Sequence, residues 1–285
     1  MNTYIIFAIL YAVLIGVYNV LKKKATTKSS ETVILVMYTF VCFCLSMIWI
    51  PFGVKIPLKF VGILAGKGFL LAFSWYCTLK VMKDADVSLV SLTTVLSTVM
   101  TFIIGIVGFG EGAGWLRVVG SVLIVGGAVL INLVDRKEKG KTNIKHLLML
   151  LASAIITSIS NVVDKYTTTY LDNRQVQFWF LLFAFVFSAI FFAIECIRSK
   201  KFLIGKEDLK NYWIYLVGAF LFVGDMFLFL SYKSPGSQMI VISVIAKLKT
   251  VVTVLLGILW FKEKDAWKKI LISLLIVTGV ILVAL

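Results

Sequence analysis

The sequence predicts an all-α integral membrane protein of ten transmembrane helices arranged as two inverted five-helix repeats, and three observations carry that expectation. Hydrophobic residues make up 60% of the 285 and charged residues only 15%, against about half and a quarter in soluble domains; the mean hydropathy is +1.00. The apolar residues come in runs such as Tyr4–Leu21 and Val87–Phe109, long enough at about 1.5 Å per residue to cross about 30 Å of hydrocarbon. The chain also matches itself in two places.

Apolar runs broken by charged or turn residues place the ten helices at 4–21, 32–50, 60–79, 87–109, 115–134, 146–166, 176–197, 211–231, 237–261 and 267–285. The runs are continuously apolar, without the period-two alternation of a porin strand, so helices are preferred to a barrel. Pro51, Pro57 and Pro235 fall at the proposed ends, where a missing N–H costs least. Only two polar residues separate Met1 from the first apolar run, with no basic segment, so no cleavable leader is expected.

Moving Ser91 by 152 positions pairs it with Ser243, and the same shift pairs Thr101 with Thr253, Glu111 with Glu263 and Trp115 with Trp267. A shift of 142 pairs Asn19 with Asn161 and Lys23 with Lys165. The first repeat is taken as residues 1–138 and the second as 139–285. Five spans is an odd number, so a continuous chain inserts its second copy upside down, the arrangement on which many secondary transporters are built.

The stretch Thr78–Leu96, the G-F-G-E-G-A-G-W at 108–115 and the glycine-rich run at 119–130, with second copies at 243–264 and 277–283, resemble the EamA-like branch of the drug/metabolite transporter superfamily. That resemblance implies ten helices, both termini on one side, and a central cavity lined by spans 1, 3, 4, 6, 8 and 9, with spans 5 and 10 peripheral. Such proteins often carry proline midway along spans 4 and 9. This chain has Thr94 and Ala246 there, which puts the corresponding kinks in doubt.

The net charge is +15, but the Lys and Arg cluster between apolar runs, so they read as topology determinants and headgroup contacts rather than a nucleic-acid surface. Twenty of them lie in the odd-numbered connections and six in the even-numbered ones and their flanks. The positive-inside rule then puts the odd connections in the cytoplasm and both termini outside the cell membrane, the reverse of the orientation the resemblance implies. Cys42, Cys44, Cys77 and Cys196 lie inside apolar runs and read as small core residues. No metal or cofactor is expected, since the one histidine, His146, has no ligand cluster beside it.

Ionisable side chains far from helix ends cost about 2.5–3.5 kcal/mol each on insertion scales and mark pathways. Lys67, Asp225, Lys247 and Lys249 qualify. Lys247 leads, because Ser243, Lys247 and Thr250 would form one polar stripe on the ninth span, whereas the first copy reads Ser91, Val95 and Thr98. Lys249 lies about 200° around the helix from Lys247, so one of the two is free to pair with Asp225. Lys67 reads equally as a substrate contact or as snorkelling to the interface. Asp164 and Lys165 read as an interfacial pair. Trp75 and Tyr76 are candidates to stack on a ligand or to anchor at the membrane surface, and Thr94 joins the site through its place in the fourth span. Asn19 and Asn161 line gates or tie helices together. Glu111 and Glu263 look like caps on spans 5 and 10.

The expected function is secondary active transport of a small polar metabolite, an organic anion or a zwitterion such as an amino acid or phosphorylated sugar, by alternating access. A lysine at mid-membrane offers a compact positive charge and three donors to a carboxylate or phosphate. The expected partners are the substrate, the bilayer and a coupling proton or exchanged metabolite, with the protein a monomer or homodimer. Export of cationic drugs or amines is the second reading. A lipid-headgroup enzyme or scramblase is the alternative of another class, weakened by the absence of a carboxylate pair or metal-ligand cluster, and an ion channel is disfavoured by the absence of a carbonyl filter motif.

Overall fold

The computed structural model describes residues 3–50, 55–84, 97, 100, 101, 103–112, 114–136, 144–261 and 266–284. The helices are α1 (Thr3–Thr26), α2 (Glu31–Trp49), α3 (Leu58–Asp84), α4 (103–109), α5 (Trp115–Arg136), α6 (Ile144–Tyr170), α7 (Asn173–Ser199), α8 (Lys206–Leu209), α9 (Tyr212–Lys233), α10 (Met239–Ile245), α11 (Leu248–Phe261) and α12 (Ala266–Ala284). Local chemistry sets several ends. Pro57 precedes α3 and its carbonyl accepts the Phe60 N–H at 2.9 Å. Asp172 caps α7, accepting from the Arg174 N–H at 3.0 Å while the Gln175 side chain accepts from the Asp172 N–H. α7 stops at Lys200, whose φ of 52° is left-handed.

The described residues do not by themselves confirm the expected count of ten. Seven stretches are long and apolar enough to cross a membrane, one of them Met239–Trp260. That ninth span is divided into α10 and α11, and α8 is an additional short helix in the 198–210 connection. The division falls at Ala246 and Lys247, although no proline is present. The Lys247 N–H turns to the Val244 carbonyl at 2.9 Å, Lys249 to Ala246 at 3.3 Å and Thr250 to Lys247 at 2.9 Å. These are i→i−3 bonds, a 3₁₀-like tightening that interrupts the α ladder without removing a donor.

α1 runs antiparallel to α9: Ser231 Oγ donates to the Tyr4 carbonyl at 2.8 Å near one end, and Asn211 Nδ2 to the Ala25 carbonyl at 3.3 Å near the other. It runs parallel to α11, with Gly16 so close to Val252 that an added Cβ would lie 2.5 Å from the valine Cβ. α6 has the matching neighbours. It lies antiparallel to α3, where Lys59 donates to the Tyr166 hydroxyl at 3.2 Å and the Ser74 and Ser153 hydroxyls meet at 2.5 Å. It also lies along the fourth span, where Ser158 Oγ donates to the Ser97 carbonyl at 3.1 Å. The first helix of each half therefore packs on the third and fourth spans of the other.

α2 and α7 meet as an antiparallel pair, with Arg174 over the Trp49 ring, Phe43 beside Phe178 and Phe40 beside Phe185. α5 and α12 cross at Gly120 and Gly279, where a Cβ on either glycine would sit 2.6 or 2.7 Å from the other's carbonyl oxygen. The largest buried apolar cluster joins α1, α2, α3, α7 and α9 around Tyr38, Phe180 and Phe229.

Candidate functional site

One group of interior charges comes from α3, α6, α9 and the broken ninth span. Lys67 on α3 is 4% exposed and forms an ion pair with Asp164 on α6. The Lys67 Nζ also lies 3.9 Å from the Phe180 ring centroid and 5.0 Å from that of Phe229. Removing two charges from water is costly, and such a pair persists only where attraction and further contacts compensate. Asp164 is thus the partner of Lys67, not of its neighbour Lys165. The helix explains the difference: α6 continues to Tyr170, so Asp164 lies more than a turn inside, and Lys165, rotated about 100°, faces another way. Lys165 donates to the Ser237 carbonyl at 2.8 Å and hydroxyl at 2.6 Å. Lys67 does not snorkel.

Asp225 on α9 is 8% exposed. Its charged neighbours are Lys67, Asp164 and Lys249, but among the described residues it makes no direct ion pair or hydrogen bond. The anticipated Lys–Asp pairing between spans 8 and 9 is therefore a neighbourhood rather than a contact. Lys247 is also 8% exposed and buried at the helix break, with Lys249 as a charged neighbour. Ser243 is buried on α10 beside Tyr232, while Thr250 lies on α11. The expected stripe of Ser243, Lys247 and Thr250 is thus split across two helices instead of running down one.

Trp75 turns into the interior cluster, 5.8 Å from Tyr38 and 6.1 Å from Phe180. Tyr76 points toward α7, 6.2 Å from Phe191. Asn19 Nδ2 donates to Thr253 Oγ1 at 3.3 Å, and Asn161 Nδ2 donates to Thr101 Oγ1 at the same distance. Ser91 and Thr94 lie outside the described residues, as does Glu263. Glu111 does not cap α5. Its two carboxylate oxygens accept the Met239 and Ile240 N–H groups at 2.5 and 2.8 Å, so it caps α10 at the head of the broken span. The chemistry is the expected one, a carboxylate on free helix amides, applied to a helix of the other half. Phe180 and Phe229, whose nearly perpendicular rings both lie against the Lys67 ammonium, carried no sequence signal, being two of 22 phenylalanines.

The site therefore holds three cations and two carboxylates in a largely apolar interior, at the meeting of both halves. Such a site can bind and orient a small charged molecule. Among the described residues no cluster of metal-ligating side chains occurs.

A search of the curated proteins finds no match. Twenty-eight chains of known structure do match. One of them, titled only "Crystal structure of protein", aligns with a TM-score of 0.78 over 99% of this chain and 96% of its own, at 15% identity, a likeness of fold alone. A model of the EamA-like transporter family matches residues 2–133 and again 144–285. With both halves matched and the helices long and apolar enough to span a membrane, the chain belongs to the EamA-like transporter family, within the drug/metabolite transporter superfamily.

Proposed function

We propose that this membrane transporter is a secondary carrier that moves a small polar metabolite, an organic anion or a zwitterion such as an amino acid or phosphorylated sugar, by alternating access. The observation that carries the reading is Lys247. It is buried where the ninth span breaks, its repeat mate in the sequence is Val95, and its side chain has no hydrogen-bond or ion-pair partner among the described residues. A charge kept in so apolar a place without a fixed partner is poised for a mobile one. Broken helices at mid-membrane are where carriers of several folds bind their cargo.

The helix directions support inverted repeats, for which we keep the division at 138/139 read from the sequence. α1 runs antiparallel to α9 while α2 runs parallel to α9, as the Asn211–Ser29 hydrogen bond and the Gly218–Tyr38 approach indicate. α2 is antiparallel to α7, and α7 turns back on α6 through two residues. α1 and α6 then point in opposite directions, and two opposed copies around one site provide two near-equivalent states. The charge distribution supports termini outside the cell membrane. Coupling is to a proton or an exchanged metabolite, in a monomer or homodimer.

The test is counterflow in proteoliposomes loaded with candidate anions and amino acids. Wild-type protein should exchange at least one of them. Lys247→Gln should abolish that exchange while leaving the thermal transition of the purified protein within a few degrees; unchanged exchange would remove Lys247 from the site.

A further inference from the structure

The Lys67 ammonium is held in a cage of three groups: the Asp164 carboxylate, the Phe180 ring at 3.9 Å and the Phe229 ring at 5.0 Å. A carboxylate with two aromatic faces, out of water, is the chemistry that recognises an organic ammonium. Here the cation arrives on a lysine stem. A strut between α3 and α6 would need only Asp164. The surroundings contain more than a strut uses. Asp225 neighbours both members of the pair yet lacks a direct partner of its own among the described residues.

We propose that Asp164, Phe180 and Phe229 form the ammonium subsite of the transport site, with Lys67 as its tethered occupant, displaced toward Asp225 when the amino group of a substrate enters. The proposal rests on the carrier reading above and narrows it, since Lys247 receives the anionic end and the cage receives the cationic end of a zwitterionic amine. The charges balance before and after: two carboxylates, Asp164 and Asp225, stand with two lysines, Lys67 and Lys249. A zwitterion adds no net charge, its ammonium replacing Lys67 on Asp164 while Lys67 turns to Asp225 and the substrate carboxylate goes to Lys247. Phe180 and Phe229 come from α7 and α9, so the occupied cage also ties these helices to α6.

The test is thermal-shift titration of the purified full chain with n-butylammonium, with butyrate as the anionic control. Lys67→Met empties the cage of its built-in competitor. It should bind n-butylammonium at least tenfold more tightly than the wild type does, with no gain for butyrate. Phe180→Leu, which keeps the ion pair, should weaken n-butylammonium binding at least tenfold and serves as the readout if Lys67→Met does not fold. In the wild type, norleucine should compete with n-butylammonium. Absence of any n-butylammonium shift in Lys67→Met, or a wild-type shift untouched by Phe180→Leu, would overturn the cage. Failure of the carrier reading is separable: Lys247→Gln would then leave counterflow unchanged while the cage variants still altered n-butylammonium binding.

Discussion

Asn19 reaches Thr253 between α1 and α11 at 3.3 Å, and Asn161 reaches Thr101 between α6 and the fourth span at the same distance. Three residues further along each helix the two copies differ. Lys22, buried and 5.4 Å from the Tyr18 ring, occupies the place that Asp164 takes in the second copy, 142 positions on. The duplicated chain has kept these interhelical hydrogen bonds, and the charged matches Lys23 with Lys165 and Glu111 with Glu263, but differs at the buried charges of its interior. On the proposed carrier function, the matched asparagines and threonines are architecture, and the unmatched Lys247, Lys67, Asp164 and Asp225 are the residues we propose tell one ligand from another. A symmetric lining would treat both ends of a substrate alike, whereas an asymmetric one orients it.

Breaking the unmatched charges should cost most. Asp164→Asn alone should destabilise the protein by about 3–5 kcal/mol, because it strands a buried lysine, while the double change Lys67→Met with Asp164→Leu should recover much of that loss. Denaturant or thermal unfolding in detergent measures both, and an Asp164→Asn protein as stable as the wild type would mean that Lys67 has another partner. Next comes the crossing of α5 with α12. Gly279→Val must push against the Gly120 carbonyl and should cost about 1–3 kcal/mol by overpacking, without changing which probe binds, since this crossing lies apart from the charged interior.

The matched bonds should cost least. Thr253→Val and Thr101→Val should each lose about 0.6 kcal/mol, the average for a hydrogen bond between membrane helices. Unequal losses would show that the two halves are not equivalent even in their architecture. The pair of Asp172 with Lys233, at 2.8 Å and half exposed, should be worth under about 1 kcal/mol. Partial burial pushes the Asp172 carboxyl up, but the hydrogen bonds from Lys233 and the Arg174 N–H outweigh it and hold the carboxyl below the usual carboxylate range. Its contribution is therefore present above the ordinary carboxylate range and fades as pH falls through the depressed value. An acid titration of stability in wild type and Asp172→Asn should converge at low pH.

Much of this was legible in the sequence, and what was not has physical reasons. Apolar run length and self-match reveal the spans and the duplication because both are properties of one segment at a time. The asparagine pair was visible as a repeat, but its threonine partners are 234 and 60 residues away, so only the fold brings them together. Asp164 was assigned to Lys165 because neighbours in sequence are easy to pair, although successive residues on a helix point about 100° apart. The break at Ala246–Lys247 left no trace because a shift to i→i−3 bonding needs no proline. Glu111 was read as a helix cap, which it is, but the helix it caps, α10, begins 128 residues later.

The measurement closest to the central claim is a single reporter cysteine at Ser243, on α10 beside the break, with Cys42, Cys44, Cys77 and Cys196 replaced. It is treated with a membrane-impermeant thiol reagent from each face of the membrane in turn. A carrier with one site at the broken span predicts labelling from both faces, protection by a transported substrate, and no ion leak. Labelling from neither face by the impermeant reagent, together with labelling by a lipid-soluble one, would place this segment against lipid and contradict the account.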